Sequence, residues 1–143
     1  MGYRKVGVGN LKTYKDITKL EKEILDSGLF IENNIIRSID LSIIGHFGNI
    51  TTLEVICDNC CMFSQYNIGT LIPDVLKTLI ETLELSKEDG TRMSEIKNVP
   101  IRIITTQNHF GTVVGFGHFM KNRFLLIEDI IQMAKNNIEQ KYR

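Results

Sequence analysis

Between Ile35 and Cys57 two runs in which apolar and polar residues alternate with a period of two flank a short turn, and this leaves little choice of architecture. Ile35, Ile39, Leu41 and Ile43 alternate with Ser38, Asp40 and Ser42, as in a strand with one buried face. Gly45 to Asn49 reads as a turn, after which Leu53, Val55 and Cys57 share one face and Thr52 and Glu54 the other. Asp58-Asn59 suits a two-residue hairpin loop. Such a loop pairs Cys57 with Cys60, Val55 with Met62, Leu53 with Ser64 and Thr51 with Tyr66, all on one mostly apolar face. Strands joined by connections this short run antiparallel.

Helical spacing flanks this block. Ile17, Leu20, Ile24 and Leu25 predict a helix over 13–27, with Thr13 and Asp16 as its capping pair and Gly28 as its stop. Gly69 and Thr70 open a second helix, whose stripe of Ile72, Val75, Leu76, Leu79, Ile80 and Leu83 keeps Pro73 in the first turn. Val99, Ile101 and Ile103 form a fourth strand, in which Pro100 fits an edge or the first position. Thr112 to Phe119 forms a fifth, and a last helix carries Leu126, Ile127, Ile130, Ile131, Ala134 and Ile138. The order α-β-β-β-α-β-β-α predicts an α+β domain over residues 1–143, a mainly antiparallel sheet of about five strands with helices packed on one face. Residues 1–11, with three glycines, read as a flexible arm.

Charge narrows function. Seventeen basic residues balance seventeen acidic ones, which weighs against both a nucleic-acid binder and an acidic DNA mimic. No apolar run reaches the roughly 18 residues needed to span a bilayer, and Met1 to Leu11 lacks a signal-peptide core. The expectation is a soluble protein of the bacterial cytoplasm with reduced thiols, since Cys57, Cys60 and Cys61 make a poor disulfide framework. The 21 isoleucines and 11 asparagines against one alanine, Ala134, are what an AT-rich coding sequence produces.

Candidate sites are few. Cys57 and Cys60 could supply half of a tetrahedral zinc site, with His46, His109 or His118 completing it. The plainer expectation is two small buried residues facing each other across the hairpin, with no metal and no cofactor. Redox chemistry is disfavoured because a catalytic pair normally opens a helix. Gly115 and Gly117 leave one strand face bare, for a tightly packed helix or for a ligand, while Val114, Phe116 and His118 take the other. His46 with Phe47, and His109, sit in predicted turns that could rim one binding surface. By strand parity Ile36, Ile44, Ile56 and Ile104 fall on the outer sheet face, where a homodimer or partner interface is expected.

The order of motifs resembles a family of small phage and prophage accessory proteins of low-GC bacteria. The likeness spans residues 35–124. It lies in Gly45-His46-Phe47-Gly48 between two strands, Tyr66-Asn67-Ile68-Gly69 before an Ile/Leu-rich helix, Val99-Pro100-Ile101-Arg102-Ile103, and Val114-Gly115-Phe116-Gly117-His118-Phe119. The chain departs from the family at Cys60 to Tyr66, where the family is richer in glycine, and at Arg123-Phe124, where an acidic residue and Trp are commoner. The resemblance implies a non-enzymatic accessory role, foremost inhibition of a host defence system such as a CRISPR effector by protein–protein binding. The alternative is sequestration of a nucleotide signal, with Phe47, Phe116 and Tyr66 for the base and Arg102 and Arg123 for phosphate, chosen by type alone. A Cys/His zinc enzyme comes third. Together the binding candidates are His46, Phe47, Tyr66, His109, Phe116, His118 and Arg123.

Overall fold

The computed structural model describes residues 11, 13–44, 50–64, 66, 68–107 and 111–141, and of residues 43, 44, 50, 51 and 141 the backbone alone. The chain is an α+β domain built on a six-stranded, wholly antiparallel sheet in the order β3-β2-β1-β4-β5-β6. The strands are β1 (Phe30–Ile44), β2 (Ile50–Cys57), β3 (Cys61–Met62), β4 (Pro100–Thr105), β5 (Val113–His118) and β6 (Phe124–Leu126). The helices are α1 (Tyr14–Ile17), α2 (Glu21–Asp26), α3 (Ile72–Thr82) and α4 (Ile127–Lys141). No helix among the described residues is long and apolar enough to cross a membrane.

The hairpin forms in the expected register. Val55 faces Met62, and the Cys57 amide donates to the Cys60 carbonyl at 2.8 Å. The pairing then stops short of Leu53 and Thr51, because Phe63 turns left-handed at φ 69° and closes a turn in which its carbonyl accepts the Tyr66 amide. Pro100 is the first residue of β4, where its missing amide breaks no ladder.

β1 runs longer than the alternation suggests and joins the two halves of the sheet. Phe30–Ile35 pairs with β4, and Ile36–Ile44 with β2. Between the two runs Arg37 is a β-bulge: Ile36 faces Cys57 and Ser38 faces Ile56. A bulge inserts one residue without a partner, so side-chain parity reverses across it. Ile36 therefore shares the inner face with Ile39 and Leu41, and is fully buried in the main core under α3 and α4. That corrects its expected place on an outer interface. The Arg37 guanidinium reaches Asp58 (Nη2 to Oδ2, 3.2 Å) and Asn98 (Nη1 to Oδ1, 3.0 Å), pinning the bulge to the hairpin loop and to the approach of β4.

The predicted first helix is two. Thr18 and Leu20 are extended, and Lys19 exchanges backbone hydrogen bonds with Phe124 at 2.7 and 2.8 Å, which closes the β6 edge. The Asp16 carboxylate accepts from the Thr13 amide and hydroxyl as the capping pair requires, and Gly28 ends α2 at φ 82°. Leu126, expected to open the last helix, instead ends β6. Of the expected arm only Leu11 is described; it is buried, and its carbonyl accepts the Asn136 amide at 3.0 Å.

A second, smaller core lies on the opposite sheet face, where Ile24 of α2 packs with Ile104, Phe124 and Leu126. Ile104 is on the face its parity assigns, but it is fully buried there, so its assignment to an exposed interface is corrected as well. The two glycines of β5 belong to this face. A Cβ on Gly117 would stand 2.7 Å from Phe124 Cε1 and 2.6 Å from the Arg123 carbonyl, and one on Gly115 would stand 2.8 Å from Ile104 Cδ1. The bare strip is thus filled by the Phe124 ring and Ile104, in place of a helix or a ligand. Arg102 covers the ring from above, 4.5 Å from its centroid, a cation–π arrangement. Val114 joins this second core rather than the face of Phe116, because the register shifts between Ile104 and Thr105.

Candidate functional site

The sheet has one long open edge among the described residues. β6 is closed by Lys19, β3 is two residues long, and the Gly69–Leu71 turn lies close to β2. β4 leaves β1 at the bulge, where its approach segment makes the last bonds: Ile36 N to Val99 O at 2.9 Å and Asn98 N to Ile36 O at 2.7 Å. From Ser38 to Ile44, β1 pairs with β2 alone among the described residues. Seven residues at about 3.4 Å each make an edge of roughly 24 Å.

Its chemistry follows from the register. The Cys57 amide points to β3, so odd residues of β2 face β3 and even ones face β1. Ser38, Asp40 and Ser42, opposite Ile56, Glu54 and Thr52, therefore spend their backbone groups on β2. Ile39, Leu41 and Ile43 turn theirs to the free side. Leu41 is 57% exposed although its cross-strand partner Leu53 is wholly buried, so an apolar row runs out from the core along this edge. On the outer face Asp40 stands directly across from Glu54, a like-charge pair that destabilises an isolated ribbon. Partial desolvation, then the Glu54 carboxylate, the Cys60 thiol and Asp40, push the neighbouring Cys61 thiol up.

The expected site residues do not gather in one place. His46, Phe47 and His109 lie outside the described residues. Phe116 is fully buried, edge-on to Phe63 at 6.3 Å between centroids, so its ring is closed to a ligand. Tyr66 is half-buried against the main core. Ile56 is half-buried on the outer face of β2, and the Ile44 backbone stands opposite Ile50.

His118 and Arg123 instead clamp the β5–β6 hairpin to the end of α3. His118 Nδ1 accepts the Met120 and Lys121 amides at 3.0 and 3.1 Å, and its Nε2 lies 3.3 Å from Glu84. Glu84 also pairs with Lys121 and with Arg123 Nη2 (3.3 Å), which donates to the Thr82 carbonyl at 3.0 Å. Arg102 ties the same turn together through the carbonyls of His118 (2.9 Å) and Lys121 (2.6 Å).

Burial holds His118 below the ordinary histidine range, helped by Arg123, Lys121 and Arg102 and opposed by Glu84. The folded state then binds fewer protons than the unfolded chain, so the clamp's contribution is complete above the unfolded value near 6.5 and is lost as pH falls through the lower folded one. Glu84, held down chiefly by its hydrogen bond from Lys121, adds acid lability of the same sign at lower pH. The melting temperature should fall as the pH is lowered from 7 towards 5. His118→Gln, which keeps an acceptor but does not titrate, should flatten the upper part of that curve in a calorimetric pH series.

Cys57 and Cys60 lie on the opposite face of the hairpin from Asp40, Glu54 and Cys61. Cys57 is buried, and Cys60 is half-buried at the wall of a cleft of about 740 Å³ shared with Glu32, Asn34, Ile103, Thr105 and Val113. Among the described residues no group of three His, Cys, Asp or Glu side chains is placed to hold a metal ion. No protein-family model, curated protein or solved structure matches this chain.

Proposed function

We propose that this chain is a non-enzymatic binding protein that captures an extended segment of a protein partner on the open edge of β1, the partner being a component of a host defence system such as a CRISPR effector. The observation that carries this reading is the run Ser38–Ile44, which among the described residues is bonded on one side only and bears an exposed Leu41. Strand addition draws affinity from main-chain hydrogen bonds and specificity from alternate side chains. The segment that fits alternates apolar residues, which continue the Ile39/Leu41 row, with Lys or Arg beside Asp40 and Glu54. On a chain with no net charge, that acidic pair gives the edge a local polarity. The defence target is supported by the resemblance to phage accessory proteins. Employment of His118 and Arg123 in the hairpin clamp supports a binding role over a catalytic one.

Phage plating on hosts that carry defined defence systems tests both parts. Expression of the wild-type chain should raise plating on at least one such host, and Leu41→Lys should reduce that gain at least about tenfold while leaving the melting temperature within about 2 °C, because edge lysines block strand addition at exposed sites. A wild type that rescues no phage contradicts the defence target. A Leu41→Lys protein as active as the wild type contradicts the edge.

A further inference from the structure

We propose that Cys57 and Cys60 are a thiol–disulfide exchange pair, in which Cys60 attacks a glutathione-type disulfide entering through the adjoining cleft and Cys57 resolves the product. This goes beyond the edge-strand reading and does not depend on it. Three observations carry it. The hairpin register sets the two cysteines directly opposite each other, with Cys57 N to Cys60 O at 2.8 Å. Hydrogen-bonded antiparallel pairs hold their Cα atoms about 5.5 Å apart, inside the range a disulfide spans. Access is unequal, since Cys57 is 4% exposed while Cys60 lines the cleft of about 740 Å³.

The third observation is a donor aimed at the sulfur. Asn34 Nδ2 lies 3.7 Å from Cys60 Sγ, and the amide cannot turn over because its Oδ1 already accepts the Ile35 and Asp58 amides at 2.7 and 3.0 Å. This donor takes the place of the helix N-terminus that usually stabilises a reactive thiolate. Consistently, the hydrogen bond from Cys57 draws Cys60 below the ordinary thiol range, whereas Cys57 is pushed far up. Cys61, paired with Ile56 and standing beside Glu54 and Asp40 on the other face, is raised too, although it is the most exposed of the three.

The exchange balances without another oxidant. The Cys60 thiolate bonds to one sulfur of glutathione disulfide and expels the other glutathione as a thiolate. Cys57 then loses its proton to solvent and attacks the Cys60 sulfur, forming the Cys57–Cys60 bond and releasing the second glutathione. Two protein thiols are oxidised and one small disulfide is reduced to two thiols.

Competitive alkylation of the reduced, folded full-length chain at pH 7 tests the order of reactivity without any substitution. Peptide mapping should find Cys60 modified about tenfold faster than Cys61, the reverse of their exposure. Incubation with glutathione disulfide should remove two hydrogens from the intact mass and link Cys57 to Cys60 with Cys61 still free. Cys57→Ser should instead hold glutathione at Cys60. Equal or faster modification of Cys61, or glutathione carried on Cys61 with no Cys57–Cys60 linkage, would overturn the assignment.

Discussion

Replacing Gly117 with alanine should destabilise the protein by roughly 3 kcal/mol, the range of an overpacked core site. The new methyl would stand 2.6 Å from the Arg123 carbonyl and 2.7 Å from Phe124 Cε1. One neighbour is backbone, and the other is a ring fully buried between the sheet and Arg102, so neither can step aside cheaply. In a chain of this length the loss corresponds to a fall of about 6 to 12 °C in melting temperature. Gly28→Ala is the useful contrast. Its φ of 82° is left-handed, but nothing lies within 4 Å of the added methyl, so it should cost only about 1 kcal/mol. Scanning calorimetry of the two variants separates a steric demand from a conformational one. A Gly117→Ala protein as stable as the wild type would mean that the Phe124 ring does not fill the strip beside β5.

Lysine at Ile36 or at Ile104 should each cost about 3 kcal/mol or more, because an ammonium would be forced into a site with no exposure and no counter-charge in its apolar cluster. Lysine at half-buried Ile56 should cost less than about 1 kcal/mol, since the long stem can lift its charge into water. Urea denaturation of the three variants orders them directly. Were Ile36→Lys as mild as Ile56→Lys, β1 would run through residue 37 without a bulge and Ile36 would face outward.

Those isoleucines show where the sequence stops being legible. The alternation of Ile39 and Leu41 with Asp40 and Ser42 identifies the strand, and Asp58-Asn59 sets the hairpin with Cys57 and Cys60 in register. A bulge leaves no local mark in such a pattern. Arg37 is an ordinary strand residue by type, and its insertion depends on where Asp58 and Asn98 stand in the fold. Phe30 to Asn34 was obscured in a similar way, because its polar Glu32 and Asn34 face a cleft wall rather than open solvent. Phe124 to Leu126 merges with the apolar run that opens α4, and only its pairing with Gly115 to Gly117 makes it a strand. The two glycines signal close packing in the sequence, but the ring that fills the gap comes from a strand the sequence hid. At the candidate site the apolar row of β1 was legible. Its open edge was not, because openness depends on where β4 turns away.

Amide hydrogen exchange of the free protein, resolved by residue along β1, tests that open edge most directly. The pairing predicts alternation, with the Ile39 and Leu41 amides exchanging about a hundredfold faster than that of Asp40 between them, which is bonded to β2. Equal, strong protection of all three would mean that the edge is already occupied in the free chain, and the strand-addition account would be wrong.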